Sequence, residues 1–456
     1  IGEVSRMLRS GFILFYLCLG SVFTSVAKVY YVSPSASYTD SCSKSNPCSF
    51  QKALDSASRT IEDDIIKVLP GTYMISDTLT YESPGGSGSL TIEALDTYNK
   101  PVLDGGRQVK IMVINNDSNN NYVGDSGEVI KVLNIIFKNG KASCCFEERG
   151  GGLEVRTGKA DVIIEGCEFL ENTSQQGSAG GLGVSTNGGN VVLKENIFRG
   201  NEANVTGGGA WISADTQGQV EVLQNTFEGN VALFNASGTG AGGGLRISGG
   251  IVKVEDNAFK RNGANGKGSD LSVESSSKVE IISNTFEKNT KNGALYVEET
   301  VGADDILIAN NIFISNGGTY NPQGGGIYLY LLEDPNRGAP RAAVINNTFY
   351  GNDADLGGGS SHGYREEKYP CIYITTFFEE TERIFPEMMF VFKIQVIPLF
   401  ASFTTIFRET LIFGEVQELL TLKIYTLRTH TTIPILVTCR KTPPLQRLTG
   451  LARCLR

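Results

Sequence analysis

LQNTFEGN, residues 223–230, holds an Asn, a Phe two positions on and a second Asn three positions after that. The same skeleton returns as CEFLEN (167–172), NIFRGN (196–201), NAFKRN (257–262), NTFEKN (284–289), NIFISN (311–316) and NTFYGN (347–352), with a degenerate copy, NIIFKN, at 134–139. From Phe137 to Phe349 the recurring phenylalanines are spaced by 32, 29, 29, 32, 27, 27 and 36 residues. A fixed landmark with elastic intervals marks one supersecondary unit per repeat, with insertions taken up in loops.

Each unit has two further landmarks. One is a glycine cluster followed by alternating residues: GGGLEV (150–155), GGLGV (180–184), GGGAWIS (207–213), GGGLRIS (242–248), NGALYV (292–297) and GGGIYLY (324–330). The other is an alternating piece such as DVIIEG (161–166), NVVLKE (190–195), KVEIIS (278–283) or DILIAN (305–310). Alternation is a strand period. In QVEVLQNTF (219–227), Val220 and Val222 face one way and Glu221 the other, with a corner expected at Leu223–Gln224 before Asn225 and Phe227 resume the inward face. Short strands joined by corners, without a helical period in the repeat body, predict an all-β chain wound as a right-handed parallel β-helix, one coil per repeat.

Stacking such coils sets equivalent residues about 4.8 Å apart. Phe227 is then expected in an internal aromatic stack and Asn225 in an amide ladder, which leaves no buried polar group orphaned. The glycine clusters are expected at corners that need positive φ, and the closing Asn of each motif as a residue tolerant of left-handed backbone.

The rest of the chain divides around this body. Residues 1–27 read as a leader: Met7 as a start, MLRSG as a basic segment, FILFYLCLGSVF as an apolar one, and a small-residue cleavage site after Ala27. Residues 28–106 are expected to form an N-terminal cap and the first coils, with a short helix at SFQKALDSAS (49–58); residues 107–363 carry the β-helix repeats. Residues 364–456 break the pattern, with no Asn, no Asp and only Gly414 and Gly450, and the expectation is a shifted reading frame from near His362, with a genuine C-terminal domain as the alternative. This tail carries net charge +3, against −12 for residues 1–363, within a total of −9. An acidic body argues against nucleic acid as a partner. Cys42 and Cys48 are close enough to close a small loop in an oxidising compartment, and two of Cys144, Cys145 and Cys167 are expected to be able to pair.

Chemical motifs are sparse. The two histidines, His362 and His430, lie at or beyond the break. GDSG at 124–127 has the letters of a serine-protease nucleophile segment but no upstream histidine to act as base, so it reads as a turn. Gly238, Gly240 and Gly243 spell GxGxxG without a βαβ unit and read as corner glycines. The sequons at Asn172, Asn204 and Asn235 are those expected by chance in an Asn-rich chain. Outward acids remain, as acid/base pairs or calcium ligands; Asp215, Asp304 and Asp305 are candidates by residue type alone, and catalytic and metal-binding residues stay unassigned.

FEGN with GGAW, beside FLEN, FKRN, FISN and FYGN, resembles the repeat of chlamydial polymorphic outer-membrane proteins. More broadly, residues 28–363, opening with YYVSP, CSFQKAL and IKVLPGTY, resemble secreted bacterial proteins of the pectate-lyase-like β-helix superfamily. The resemblance implies the fold and leaves the activity open, since the superfamily holds lyases, hydrolases and adhesin-like proteins. Two features depart from it: the membrane-inserted barrel that ends the outer-membrane proteins is not legible, and the Asp-with-Arg, Lys or His motifs of pectate lyases and polygalacturonases are not intact. The expectation is an exported surface or secreted protein, adhesin-like or carbohydrate-contacting and non-catalytic, with an extracellular glycan or host-cell component as partner. Neither a cofactor nor a transmembrane helix in the mature body is expected. The alternative is a polysaccharide lyase or glycoside hydrolase working in a lateral groove, the one reading under which calcium enters.

Overall fold

A computed structural model of the chain describes residues 27–353, apart from 84–87, 118–126, 144–148, 216, 234–239, 300–305, 318–324 and 332–341. Beyond 353 it describes only the course of strands between 360 and 452. The leader, Cys144, Cys145, Asn235, Asp304, Asp305 and most of the GDSG segment therefore lie outside the described residues.

The described body is an all-β solenoid of parallel strands, and one coil shows how the repeat builds it. Strand Gln219–Leu223 turns at Gln224 into strand Thr226–Glu228, which turns at Gly229 into the two-residue strand Val231–Ala232. After a loop and the glycine cluster comes strand Leu245–Ser248, which leads to Ile251–Glu255 and the next coil. Every segment pairs in parallel with its equivalent one coil on: Val220 with Val252, Phe227 with Phe259, Ala232 with Ala264, Leu245 with Leu271. Val220, Val222, Phe227, Ala232, Leu245 and Ile247 are all fully buried, so the inward column of each strand forms one continuous core.

Both interior columns expected from the repeat are present. From Phe137 to Phe349 the rings stack with centroids 4.6–5.1 Å apart and planes within 3–7° of parallel. Isolated rings prefer offset or edge-to-face contacts, but here the coil spacing sets the geometry. Asn196, Asn225, Asn257, Asn284, Asn311 and Asn347 form one amide ladder. Asn225 shows its logic: its backbone N–H and its Nδ2 both donate to Asn257 Oδ1 (2.8 and 3.0 Å), and Nδ2 also donates to Leu193 O (2.9 Å). The corner at Gln224 has φ 57°, and the N–H that follows it finds its acceptor in the next coil's amide instead of in a strand carbonyl.

The structure moves the left-handed corner by one residue from the expected place. The closing Asn230 is buried in a second ladder, whereas positive φ falls on the residue before the closing Asn: Glu171, Gly200, Gly229, Arg261, Lys288, Ser315 and Gly351. Only the degenerate copy puts it on Asn139 itself. The amide is needed in the interior, so its exposed predecessor makes the turn. Glycine corners do behave as expected: Gly242 has φ 61°, and a Cβ there would stand 2.3 Å from Leu245 O.

Of the three cysteines expected to be able to pair, only Cys167 lies among the described residues. It is a buried free thiol occupying the first-ladder position ahead of Asn196. Its N–H donates to Asn196 Oδ1 (2.9 Å) and its Sγ donates to Val132 O (3.3 Å), the two roles that asparagine fills elsewhere. Burial pushes the thiol up to about 12, so it stays protonated. Asn172 is likewise fully buried in the second ladder, so its sequon is inaccessible.

At the N-terminal end, helix Phe50–Ala57 is capped by Ser49, whose side chain accepts from Lys52 N–H. It buries Phe50, Ala53, Leu54 and Ala57 beside the first strand, Lys28–Val32. That strand pairs with Asp64–Val68 on one side and is met on the other by the Cys42–Cys48 segment, through Tyr31 N–H to Cys42 O and Cys48 N–H to Tyr31 O, so this segment and the helix together close the end of the coil stack. Cys42 and Cys48 form the expected disulfide. Replacing both with serine should destabilise this end by about 2 kcal/mol, the closure entropy of so short a loop; thermal unfolding with and without reductant checks it, the reduced protein matching the double variant.

At the other end, strands Ser360–Gly363 and Ile372–Glu379 still pair in parallel with the stack. Met389–Phe392 with Glu409–Ile412, and Ile435–Lys441 with Gln446–Ala452, pair antiparallel.

Candidate functional site

The strands after the glycine clusters make a ten-stranded parallel sheet on one side of the solenoid. Its described inward positions are apolar, Leu, Val and Ile with Tyr81, Met112 and Ala210 among them; its outward positions fall into columns fixed by the register. One column runs Trp211, Arg246, Ser272, Tyr296, Tyr328, and the next Ser248, Glu274, Glu298, Tyr330. Adjacent members lie one coil apart, about 4.8 Å.

The side chains are knitted together. Arg149, from the turn before its own glycine cluster, lies with its guanidinium carbon 4.2 Å from the Trp211 ring centroid. Arg246 donates through one terminal nitrogen to Glu274 Oε2 (2.5 Å) and through the other to Thr206 Oγ1 (3.3 Å), while its buried Nε has no partner. Ser272 donates to the second Glu274 oxygen at 2.8 Å. Lys267 Nζ sits 4.5 Å from the Tyr296 centroid and 5.5 Å from that of Tyr330. It donates to Tyr296 OH (2.6 Å) and Glu298 Oε2 (3.2 Å), and Tyr296 OH donates to the same Glu298 oxygen at 2.6 Å.

Burial, reinforced by the hydrogen bond to Glu298, raises the Tyr296 pKa, and burial raises that of Tyr328. Both phenols therefore remain hydrogen-bond donors at neutral pH and are poor bases. A cavity of about 150 Å³ opens beside Lys267, Asn292, Leu295 and Tyr328. Farther down the sheet, Glu154, 1% exposed, is held by Lys110 (2.6 Å) and Arg156 (2.7 Å), a satisfied ion cluster. The opposite large sheet neutralises its outward charges between coils, as in Lys194–Glu165 (2.8 Å).

Of the acids proposed from the sequence, Asp215 is exposed in the loop after strand Ala210–Ser213, outside the strands that carry this cluster. Asp304 and Asp305 are not described. Sequence reading passed over Arg246, Lys267, Glu274, Tyr296 and Glu298. The available signal was columnar: in GGGAWIS, GGGLRIS, NGALYV and GGGIYLY the second residue after the glycines (or after Gly-Ala) is Trp, Arg, Tyr and Tyr. Among the described residues no group of three or more His, Cys, Asp or Glu is placed to hold a metal ion, and no helix is long and apolar enough to cross a membrane.

No family model matches the chain, and no curated protein matches it. Solved structures similar in fold include pectate lyase Pel9A, 16% identical over 78% of this chain and 75% of that one, with a TM-score of 0.30. A mannuronic acid-specific family 6 polysaccharide lyase from the human gut microbiota is 13% identical over 78% and 80%, with a TM-score of 0.32. A rhamnogalacturonan lyase is 12% identical over 75% and 86%, also with a TM-score of 0.32. These similarities concern the coiled architecture and carry nothing about activity.

Proposed function

We propose that the protein is an exported, glycan-contacting β-helix whose ligand lies along the solenoid axis across the Trp211–Tyr328 face. The observation that carries this reading is the register itself. It sets half-buried side chains, Arg246, Glu274, Glu298, Tyr328 and Tyr330, in columns stepped by one coil around the buried Ser272 and Tyr296, a spacing close to the length of one sugar ring in an extended chain. The half-buried rings of Tyr328 and Tyr330 suit the apolar side of a pyranose, and the exposed Lys267 ammonium beside Tyr330 is a charged donor at the same place. Export is supported by the leader pattern and by the Cys42–Cys48 disulfide.

A second reading, cleavage of the bound chain by a lyase or hydrolase, is favoured by the convergence of Arg246, Glu274, Lys267 and Glu298 on one face. Calcium belongs to that reading, since the acidic body repels an acidic glycan unless a cation lies between them.

The test is retention of the whole protein on immobilised neutral and acidic polysaccharides, with and without calcium. Tyr328→Ala and Arg246→Ala should each weaken retention at least about tenfold, the loss of one well-made contact. A wild-type protein retained on none of them would overturn the proposal. Ultraviolet absorbance of an unsaturated uronate, or new reducing ends, would establish cleavage over simple binding.

A further inference from the structure

The second amide ladder is broken at one coil. Asn172, Asn201, Asn230 and Asn262 are linked, each Nδ2 donating to the Oδ1 of the next at 2.9–3.0 Å. Asn262 should continue the ladder to Asn289 and instead donates to Asp270 Oδ1 at 2.9 Å. Asn289 accepts from Gly317 N–H at its own Oδ1 (2.9 Å) and keeps only a backbone link onward, its N–H donating to Asn316 Oδ1 (3.3 Å); side chain bonds side chain again only between Asn316 and Asn352. Two polar atoms are left buried without a partner, Asp270 Oδ2 and Asn289 Nδ2.

The cause is a local substitution. In the preceding coils the position before the first apolar residue of this strand is glycine, and a Cβ on Gly209 or Gly244 would stand 3.1 or 3.3 Å from the ladder amide of Asn230 or Asn262. In KGSDLSV the position is Asp270, so a carboxyl enters the space between two rungs. The narrow sheet of two-residue strands also ends here, at Gly263–Ala264. The same turn borders the cavity: Gly268 and Asn292 line it, and Ser269 Oγ donates to Asn292 O at 2.9 Å.

We propose that Asp270 couples opening of the coil at 262–293 to release of a proton, so that the cavity wall beside Lys267 and Tyr328 loosens as pH rises. The part of this that concerns the cavity rests on the glycan-site reading; the coil opening does not. Burial pushes the Asp270 carboxyl up to about 8. The groups facing it are the amides of Asn262 and Asn289 and the backbone of Asn262, and no charged side chain contributes to the shift. The closed coil therefore holds the proton, and an opened, hydrated coil returns the carboxyl to about 3.9. For a carboxyl raised in the closed state, the closing advantage is complete below about pH 3.9 and falls as pH rises. It is used up at about 8, above which opening no longer depends on pH.

Hydrogen exchange of the full chain, read by mass spectrometry in steps between pH about 4 and about 8 and corrected for intrinsic exchange, tests this. Protection of the segment 289–295 should fall by roughly tenfold per pH unit, the signature of one released proton. It should stay flat in Asp270→Asn and in Asp270→Gly, which restores the residue found at Gly244. The segment 191–203, in the unbroken part of both ladders, should be flat in all three proteins. A flat wild-type profile at 289–295, the same slope in both variants, or an equal slope at 191–203 would each overturn the proposal. The readout uses no glycan, so it stands or fails apart from the binding experiment.

Discussion

Phe227→Ala should destabilise the solenoid by about 4–5 kcal/mol, the cost of emptying a buried aromatic site together with its ring stacking on both sides. Phe227 is fully buried and stacks on Phe198 at 4.6 Å and Phe259 at 4.8 Å, so truncation leaves a gap that neither neighbour can close without breaking coil register. In a stacked array each coil touches only its neighbours, so the loss concentrates at two coil interfaces. Urea unfolding followed by far-ultraviolet circular dichroism should separate into two steps, where the wild type shows one. Trp211, the single tryptophan, lies in the preceding coil, whose Phe198 stacks on Phe227, so its fluorescence should follow the earlier step. Phe227→Leu should cost less than half as much. A loss below about 2 kcal/mol, within reach of an ordinary half-buried site, would mean that the stack fills space without holding the coils together.

The stack and ladders were legible in the sequence because a solenoid interior demands the same residue at every coil. A column of stacked rings or linked amides survives only if each repeat supplies its member, so Phe227 and Asn225 recur and can be counted. The outward face obeys no such demand. Trp211, Arg246, Ser272 and Tyr296 are four different residues in one column, and nothing in the sequence marks them as neighbours until strand register is known. Lys267 lies even farther from view, since it belongs to a turn and reaches the column of the following coils. Conformational tolerance misled the reading of the closing Asn: asparagine accepts left-handed backbone, but the ladder's need for a buried amide took precedence and moved the corner to Gly229. Asp270 shows the converse. It looks like an ordinary strand-edge acid, and only the packing of glycine against amide in the preceding coils reveals it as an intrusion.

Asn225→Asp, a change of one atom with the shape preserved, should cost at least about 4 kcal/mol at pH 7 and progressively less as pH falls. Asn225 Nδ2 donates to three acceptors, Leu193 O at 2.9 Å, Leu223 O at 3.0 Å and Asn257 Oδ1 at 3.0 Å. A carboxylate oxygen there would face three acceptors with no proton between them, inside a core where Asn225 is 1% exposed. The folded chain would therefore take up a proton, raising the carboxyl far above its usual value of about 3.9. Holding that proton at pH 7, about three units above the unfolded carboxyl, costs roughly 4 kcal/mol. The protonated form supplies a single donor where the amide supplied two hydrogens, so part of the loss persists at any pH. The sign is that of a carboxyl raised on folding: the pH-dependent penalty vanishes below about pH 3.9 and grows as pH rises toward the folded value. Denaturant midpoints compared with wild type at pH 4 and pH 7 check this, and an equal deficit at the two would show that the rung relaxes instead of protonating. Asp270 is the natural contrast, because its orphaned oxygen faces the Asn289 amide instead of a ring of acceptors. A carboxyl is accommodated in this core only with the ladder broken around it.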